Sequence, residues 1–242
     1  MVRILTCLSV CLCLSLTTPA AVIPLDGLGA DQQVKADGST NWIGQPDMRV
    51  GMGDTQGSAA VLVFELPVLP AGETVASADL AFSVVGGNNW HALFEKGMDL
   101  YGVRMSNASS VLGTDYYKGP YGDDASATAI QAHIVYESLD LNQGAPGEVG
   151  RHDTDAAAET ALGAWLQSQY DDPDYDSTGS NFVFLRLNAR ETFTSTYRYW
   201  SVATANNGTV DNRPVLALTT IPEPATLILL ALGGAALRRR RQ

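Results

Sequence analysis

The sequence predicts an all-β fold for residues 21–220, a jelly-roll-like β-sandwich with one short amphipathic helix, and three observations carry that expectation. Segments with period-two alternation recur along the stretch. Turn-forming clusters separate them. Only one segment has the three- and four-residue apolar spacing of a helix. The ends differ in kind: residues 1–20 and 221–242 read as targeting segments. The 200 residues between them show no internal repeat or low-complexity linker, and they suffice for one core.

In chain order, strands are expected at Asp31–Ala36, Met48–Met52, Ala60–Leu66, Val75–Val85, Met98–Met105, Phe182–Leu187, Tyr197–Ala203 and Val215–Thr219. In Val75–Val85 the even positions, Ala76, Ala78, Leu80, Phe82 and Val84, form the buried face, while Ser77, Asp79 and Ser83 face the other way. Ala60–Leu66 is apolar on both faces except at Glu65, which marks a central strand. Turns are signalled by Leu69-Pro70-Ala71-Gly72, Gly86-Gly87-Asn88-Asn89, Asn206-Asn207-Gly208 and Asp211-Asn212. The helix is Asp155 to Tyr170, where Ala158, Ala161, Leu162, Trp165, Leu166 and Gln169 share a face. Either Asp153 or Thr154 is the expected cap, and Asp155 and Glu159 suit the positive end. Gly163 weakens this helix by about 1 kcal/mol relative to alanine, so Trp165 and Leu166 must hold it against a sheet. A shorter helix is expected over Ala125–His133.

Composition narrows the function. The chain carries a formal charge of −11, and the central 200 residues hold 10 Lys and Arg against 25 Asp and Glu, which excludes nucleic acid as a partner. All three cysteines, Cys7, Cys11 and Cys13, lie in the first segment, so the rest of the chain has no disulfide, thiolate metal site or cysteine nucleophile. His91, His133 and His152 lack metal-ligand spacing, and no nucleophile elbow, phosphate loop or dinucleotide fingerprint is present. The expectation is a protein that is not an enzyme. A secreted polysaccharide hydrolase or lyase stands as the alternative, because glycosidase carboxylate pairs are defined by their separation in space.

The first segment has one positive charge at Arg3, an apolar run from Ile4 to Leu16, and small residues before a cleavage point after Ala20; these are the parts of a secretory signal peptide. Lipid attachment at a cysteine is the lesser alternative. The last segment begins Ile221-Pro222-Glu223-Pro224, continues as an apolar run from Ala225 to Leu237, and ends in Arg238, Arg239, Arg240 and Arg241. Thirteen residues make about 20 Å of helix, short of a hydrocarbon core of about 30 Å. Snorkelling arginines extend the effective span, and four of them hold the end cytoplasmic, which puts the domain outside. Pro222-Glu223-Pro224, the short apolar helix and the arginine cluster together resemble the PEP-CTERM sorting signal of bacterial envelope proteins. That resemblance implies export, transient anchoring in the cytoplasmic membrane, and recognition by a membrane-embedded exosortase. It also implies cleavage near Pro-Glu-Pro and delivery to the cell surface or an exopolysaccharide matrix.

Asp211-Asn212-Arg213-Pro214 followed by Val215-Leu216-Ala217-Leu218-Thr219 resembles the closing strand of secreted DNRLRE-type β-sandwich domains, themselves similar to carbohydrate-binding modules. Asp115 to Gly119 and Asp124 to Gln131 resemble an insertion in envelope proteins with this sorting tail. The candidate sugar-binding residues are Trp42, Trp90, Tyr116 and Tyr117, aromatics beside Gly, Asn or Asp whose flat rings either stack on sugar faces or plug the ends of the sandwich. Tyr197, Tyr199 and Trp200 fall in an expected strand and are assigned to packing. Finally, Asp172, Asp174 and Asp176 place carboxylates at alternate positions of one loop, which suits a structural Ca²⁺ outside any EF-hand pattern. The competing reading is a solvated acidic loop.

Overall fold

A computed structural model describes residues 21–52, 57–88, 97–117, 120–136, 149–189 and 198–222. Twelve strands are present among them: β1 (Ala21–Asp26), β2 (Gln32–Lys35), β3 (Thr40–Asn41), β4 (Asp47–Met52), β5 (Gly57–Leu66), β6 (Glu73–Asn88), β7 (Gly97–Ser106), β8 (Thr128–Tyr136), β9 (Gly150–Asp153), β10 (Asn181–Ala189), β11 (Arg198–Ala203) and β12 (Val215–Pro222). One helix, α1 (Ala156–Tyr170), lies between β9 and β10. Every described pairing is antiparallel. The strands run β1-β12-β6-β11-β4-β5-β10-β7-β8 in one curled sheet, with β2 beside β5, β3 beside β2 and β9 beside β6. The curl folds at β4–β5, which share only two register pairs, Gly51 with Ser58 and Met52 with Gly57.

The main core lies inside the curl. Leu62, Phe64, Val183, Leu185 and Leu100 from one side meet Leu80, Phe82, Trp200, Val202 and Leu216 from the other, all buried. β5 is apolar on both faces for a visible reason. Its even residues line this core, whereas Val61 and Val63 pack outward with Val34, Phe184 and Val111 in a second, smaller cluster. Glu65 is exposed, as its charge requires.

The helix closes the curl. Gly163 lets it come down on β6: a Cβ built there falls 2.5 Å from the Ser77 Cα. Gly102 of β7 likewise makes room for the Trp165 indole, which lies directly against it. The residue that costs α1 propensity is therefore the one that permits close approach, and Trp165 and Leu166 are buried where the spacing placed them. The cap is neither Asp153 nor Thr154 but Asp155, whose carboxylate accepts the Ala158 amide at 2.8 Å. Asp153 pairs with Ala81 in β9, and Thr154 is drawn to the sheet, where its hydroxyl accepts from the Leu80 amide and donates to Asp79.

Two further expectations are corrected. Residues 128–136 are strand β8, not part of a helix. His133 sits at a positive φ of 53° within a register shift against β7, and this bulge lets the consecutive residues Ile134 and Val135 both be buried, which a regular strand does not allow. In β6 a bulge at Ala76 turns that residue outward and Val75 inward, because the register passes from Thr219–Ser77 to Thr220–Val75. Ile221 and Pro222 are also paired, to Thr74 and Glu73.

Candidate functional site

The solvent face of β4 and β11 carries a stacked cluster. Met48 and Val50 point into the core, so Arg49 between them points out; Trp200 and Val202 point in, so Tyr199 and Ser201 point out. Arg49 is aligned with Ser201, and Tyr199 with Gly51 and with Asn88 of β6. The chain after β3 brings Trp42 onto the same face. The Arg49 guanidinium carbon lies 4.7 Å from the Trp42 ring centroid and 4.4 Å from that of Tyr199. Each such contact is worth about 0.5–1 kcal/mol at a partly exposed site. Trp42 adopts φ 69°, a left-handed conformation costing a non-glycine residue about 1–2 kcal/mol, and it is only half buried. Gln33 accepts the Arg49 amide at 2.9 Å and fixes β4 from behind. Tyr199 is the residue that sequence reading assigned to packing. Strand phase was the missing signal: with Trp200 as the core anchor, its neighbour must face outward.

Tyr116 and Tyr117 belong to a different place. The excursion between β7 and β8 lies across the outer face of β7 and β10, anchored by two arginines. Arg104 forks onto Asp115 with both bonds at 3.0 Å and stacks 3.7 Å over Phe184. Arg186, fully buried, donates to the Asp115 carbonyl at 2.9 Å and to the Asp124 carboxylate at 2.6 Å. Tyr101 and Tyr117 lie over its guanidinium at 4.7 and 5.4 Å, and Tyr121 packs on Tyr101. Burial works against the Asp124 carboxylate, but hydrogen bonds from Ser126 and Arg186 outweigh it and hold its pKa below the usual aspartate value. Burial and the Asp99 charge push the Tyr101 hydroxyl up to about 12. Tyr116 packs into the second cluster with its hydroxyl against Gly57. These two tyrosines pack the excursion onto the outer face of the sheet. Trp90 lies outside the described residues.

The acidic loop is organised by its own backbone. Asp172 accepts the Asp174 amide, and Asp176 accepts both the amide and the hydroxyl of Thr178. Bonds from Thr178 hold the Asp176 pKa low. Among the described residues no group of three or more His, Cys, Asp or Glu is arranged to hold a metal ion, so Asp172, Asp174 and Asp176 do not converge on one point. His152 stacks on Phe82, and the His133 amide donates to Asp99.

The sorting segment starts in the sheet. Pro222 is the last paired residue of β12, while Glu223, Pro224 and Arg238 to Arg241 lie outside the described residues. No helix of the described residues is long and apolar enough to cross a membrane. Residues 220–242 match the PEP-CTERM protein-sorting motif. A motif of this kind directs export and membrane-associated sorting by exosortase to the cell surface. No curated protein matches the chain.

Proposed function

We propose that this is an exported, non-catalytic protein of the cell surface or exopolysaccharide matrix whose curled sheet is a jelly-roll-like sandwich and which holds extracellular polysaccharide on Trp42, Arg49 and Tyr199. Its route begins with a signal peptide at residues 1–20, passes through transient anchoring by residues 225–237, and ends with cleavage by exosortase. The observation that carries the binding reading is the stacked platform itself. Two aromatic rings are held on a cation at the solvent face, one of them against a backbone conformation that disfavours it. Strain of that kind accumulates where a side chain is positioned for a task. Rings so fixed lose little freedom when a sugar face stacks on them, and a guanidinium beside them donates to sugar hydroxyls. The net negative charge favours neutral over anionic polymers.

Retention on insoluble polysaccharide tests this reading. Trp42→Ala and Tyr199→Ala are expected to lose retention, each by about fivefold or more, since stacking on an aromatic is worth about 1–3 kcal/mol. Tyr116→Phe, in the second cluster, is expected to keep it. Equal retention by all three variants removes the platform. Turnover of any polysaccharide, with release of reducing or unsaturated ends, would favour the hydrolase or lyase instead.

A further inference from the structure

The sheet and the sorting segment are joined without a linker. β12 stays paired through Ile221 and Pro222, opposite Thr74 and Glu73. The buried Thr220 hydroxyl donates to Glu73 at 2.5 Å, and the Thr74 hydroxyl donates to the Ile221 carbonyl at 3.5 Å. Only Glu223 and Pro224 then separate Pro222 from the apolar run that starts at Ala225. Three Cα steps span at most about 11 Å. Whatever end of the domain holds Pro222 is therefore within about 11 Å of the place where Ala225 enters a bilayer.

The topology identifies that end. The Pro67–Gly72 turn lies there, between Leu66 of β5 and Glu73 of β6. So does the first residue of β1, since Ala21 pairs with Thr220. The loop after α1 lies there too: the Tyr170 hydroxyl donates to the Pro67 carbonyl at 2.9 Å, and Asn181 pairs with Leu66. Three exposed apolar side chains are at this end, with Val68 62%, Val22 64% and Ile221 42% exposed, while Ile43, Val149 and Val210 are exposed away from it. The platform is at the other end. Arg49 is aligned through Ser201 with Gly86, thirteen residues along β6 from Glu73, about 40 Å at the rise of a strand.

We propose that before cleavage the domain stands on the lipid surface by this end, with Val68, Val22 and Ile221 at the headgroups and the Trp42–Arg49–Tyr199 platform facing away. The occupant of the surface is the bilayer itself, because the chain length beyond Pro222 leaves no space for a protein layer between them. Glu65, Glu73 and the Asp171–Asp176 loop share this end, so the contact is with headgroups and not with the acyl chains, and anionic lipid weakens it. The proposal rests on the sorting reading, under which residues 225–237 enter the membrane.

The domain lacks cysteine, so single labels are clean. The uncleaved, exported chain carrying Val68→Cys or Ile43→Cys, each labelled with an environment-sensitive fluorophore, is reconstituted in phosphatidylcholine vesicles with headgroup nitroxides. Ile43 is exposed and next to Trp42. The expected result is strong quenching at position 68 and none at 43. Lengthening the junction by twenty Gly and Ser residues after Pro222 is expected to remove most of the quenching at 68. Equal quenching at the two positions, or more at 43, overturns the orientation while leaving the sorting reading intact. Failure of the chain to float with vesicles overturns the sorting reading, and the orientation with it.

Discussion

Replacing Gly163 with alanine sets two effects against each other, and the structure decides their sign. In an isolated helix the change is worth about 1 kcal/mol in favour of folding. In this protein the new Cβ falls 2.5 Å from the Ser77 Cα and 2.9 Å from the Ser77 amide nitrogen and carbonyl carbon. Carbon atoms prefer separations of about 3.5–4.0 Å, so the helix must rise by about 1 Å along its face. The obstacle is backbone of β6, which cannot rotate aside as a side chain can. Lifting the helix also loosens Leu162, Trp165 and Leu166 from the core. Overpacking of this kind costs about 1–3 kcal/mol, and a backbone obstacle places it at the upper end. The net expectation is a destabilisation of about 2 kcal/mol, which at a urea slope near 2 kcal/mol per molar lowers the unfolding midpoint by about 1 M. Tryptophan fluorescence of the purified protein in urea reads this directly. An unchanged or raised midpoint would refute the argument, because it would mean that α1 does not sit on Ser77.

Further outcomes follow from the same structure. Asp155→Ala removes the α1 cap and is expected to cost about 1 kcal/mol in urea unfolding, whereas Asp155→Asn is expected to keep most of it, since both side chains cap well. Asp31 is buried, accepts the Val63 and Ala205 amides at 2.8 and 2.9 Å, and has its pKa raised by burial to about 7 from 3.8. The folded state therefore holds the proton more tightly than the unfolded state, and stability falls as pH rises from 3.8 to about 7, then levels off. The whole fall is at most about 4 kcal/mol, and Asp31→Asn is expected to flatten it across pH 5 to 8 in a series of urea midpoints. Asp124→Asn, which leaves the buried Arg186 charge without its carboxylate, is expected to cost about 3–5 kcal/mol and to release the excursion between β7 and β8 to limited proteolysis.

Much of the fold was legible because burial alternates where a strand has one wet face. β12 and the Ala78–Val84 part of β6 read directly, and β5 announced its central position by being apolar on both sides. The exceptions have physical causes. β1 contains Pro24, which argues against a strand, yet an edge strand tolerates it. β9 is four residues with no buried one, so it carries no hydrophobic signal. The bulges at Ala76 and His133 break the period-two alternation. Asp155 was visible as an acid at the positive end of α1 but not as its cap, because the competing claim of the sheet on Thr154 is a tertiary contact. At the candidate site Trp42 was legible from its glycine- and asparagine-rich setting. Arg49 and Tyr199 were not, since their meeting depends on the pairing of β4 with β11, which lie nearly 150 residues apart in the chain.

Export and processing are read together by the intact mass of the protein recovered from each fraction of its native cell. The expected chain is found at the outer surface, begins at Ala21, ends within Pro222 to Pro224, and lacks Arg238 to Arg241. Recovery of the whole chain, Met1 to Gln242, from the cytosol would contradict it.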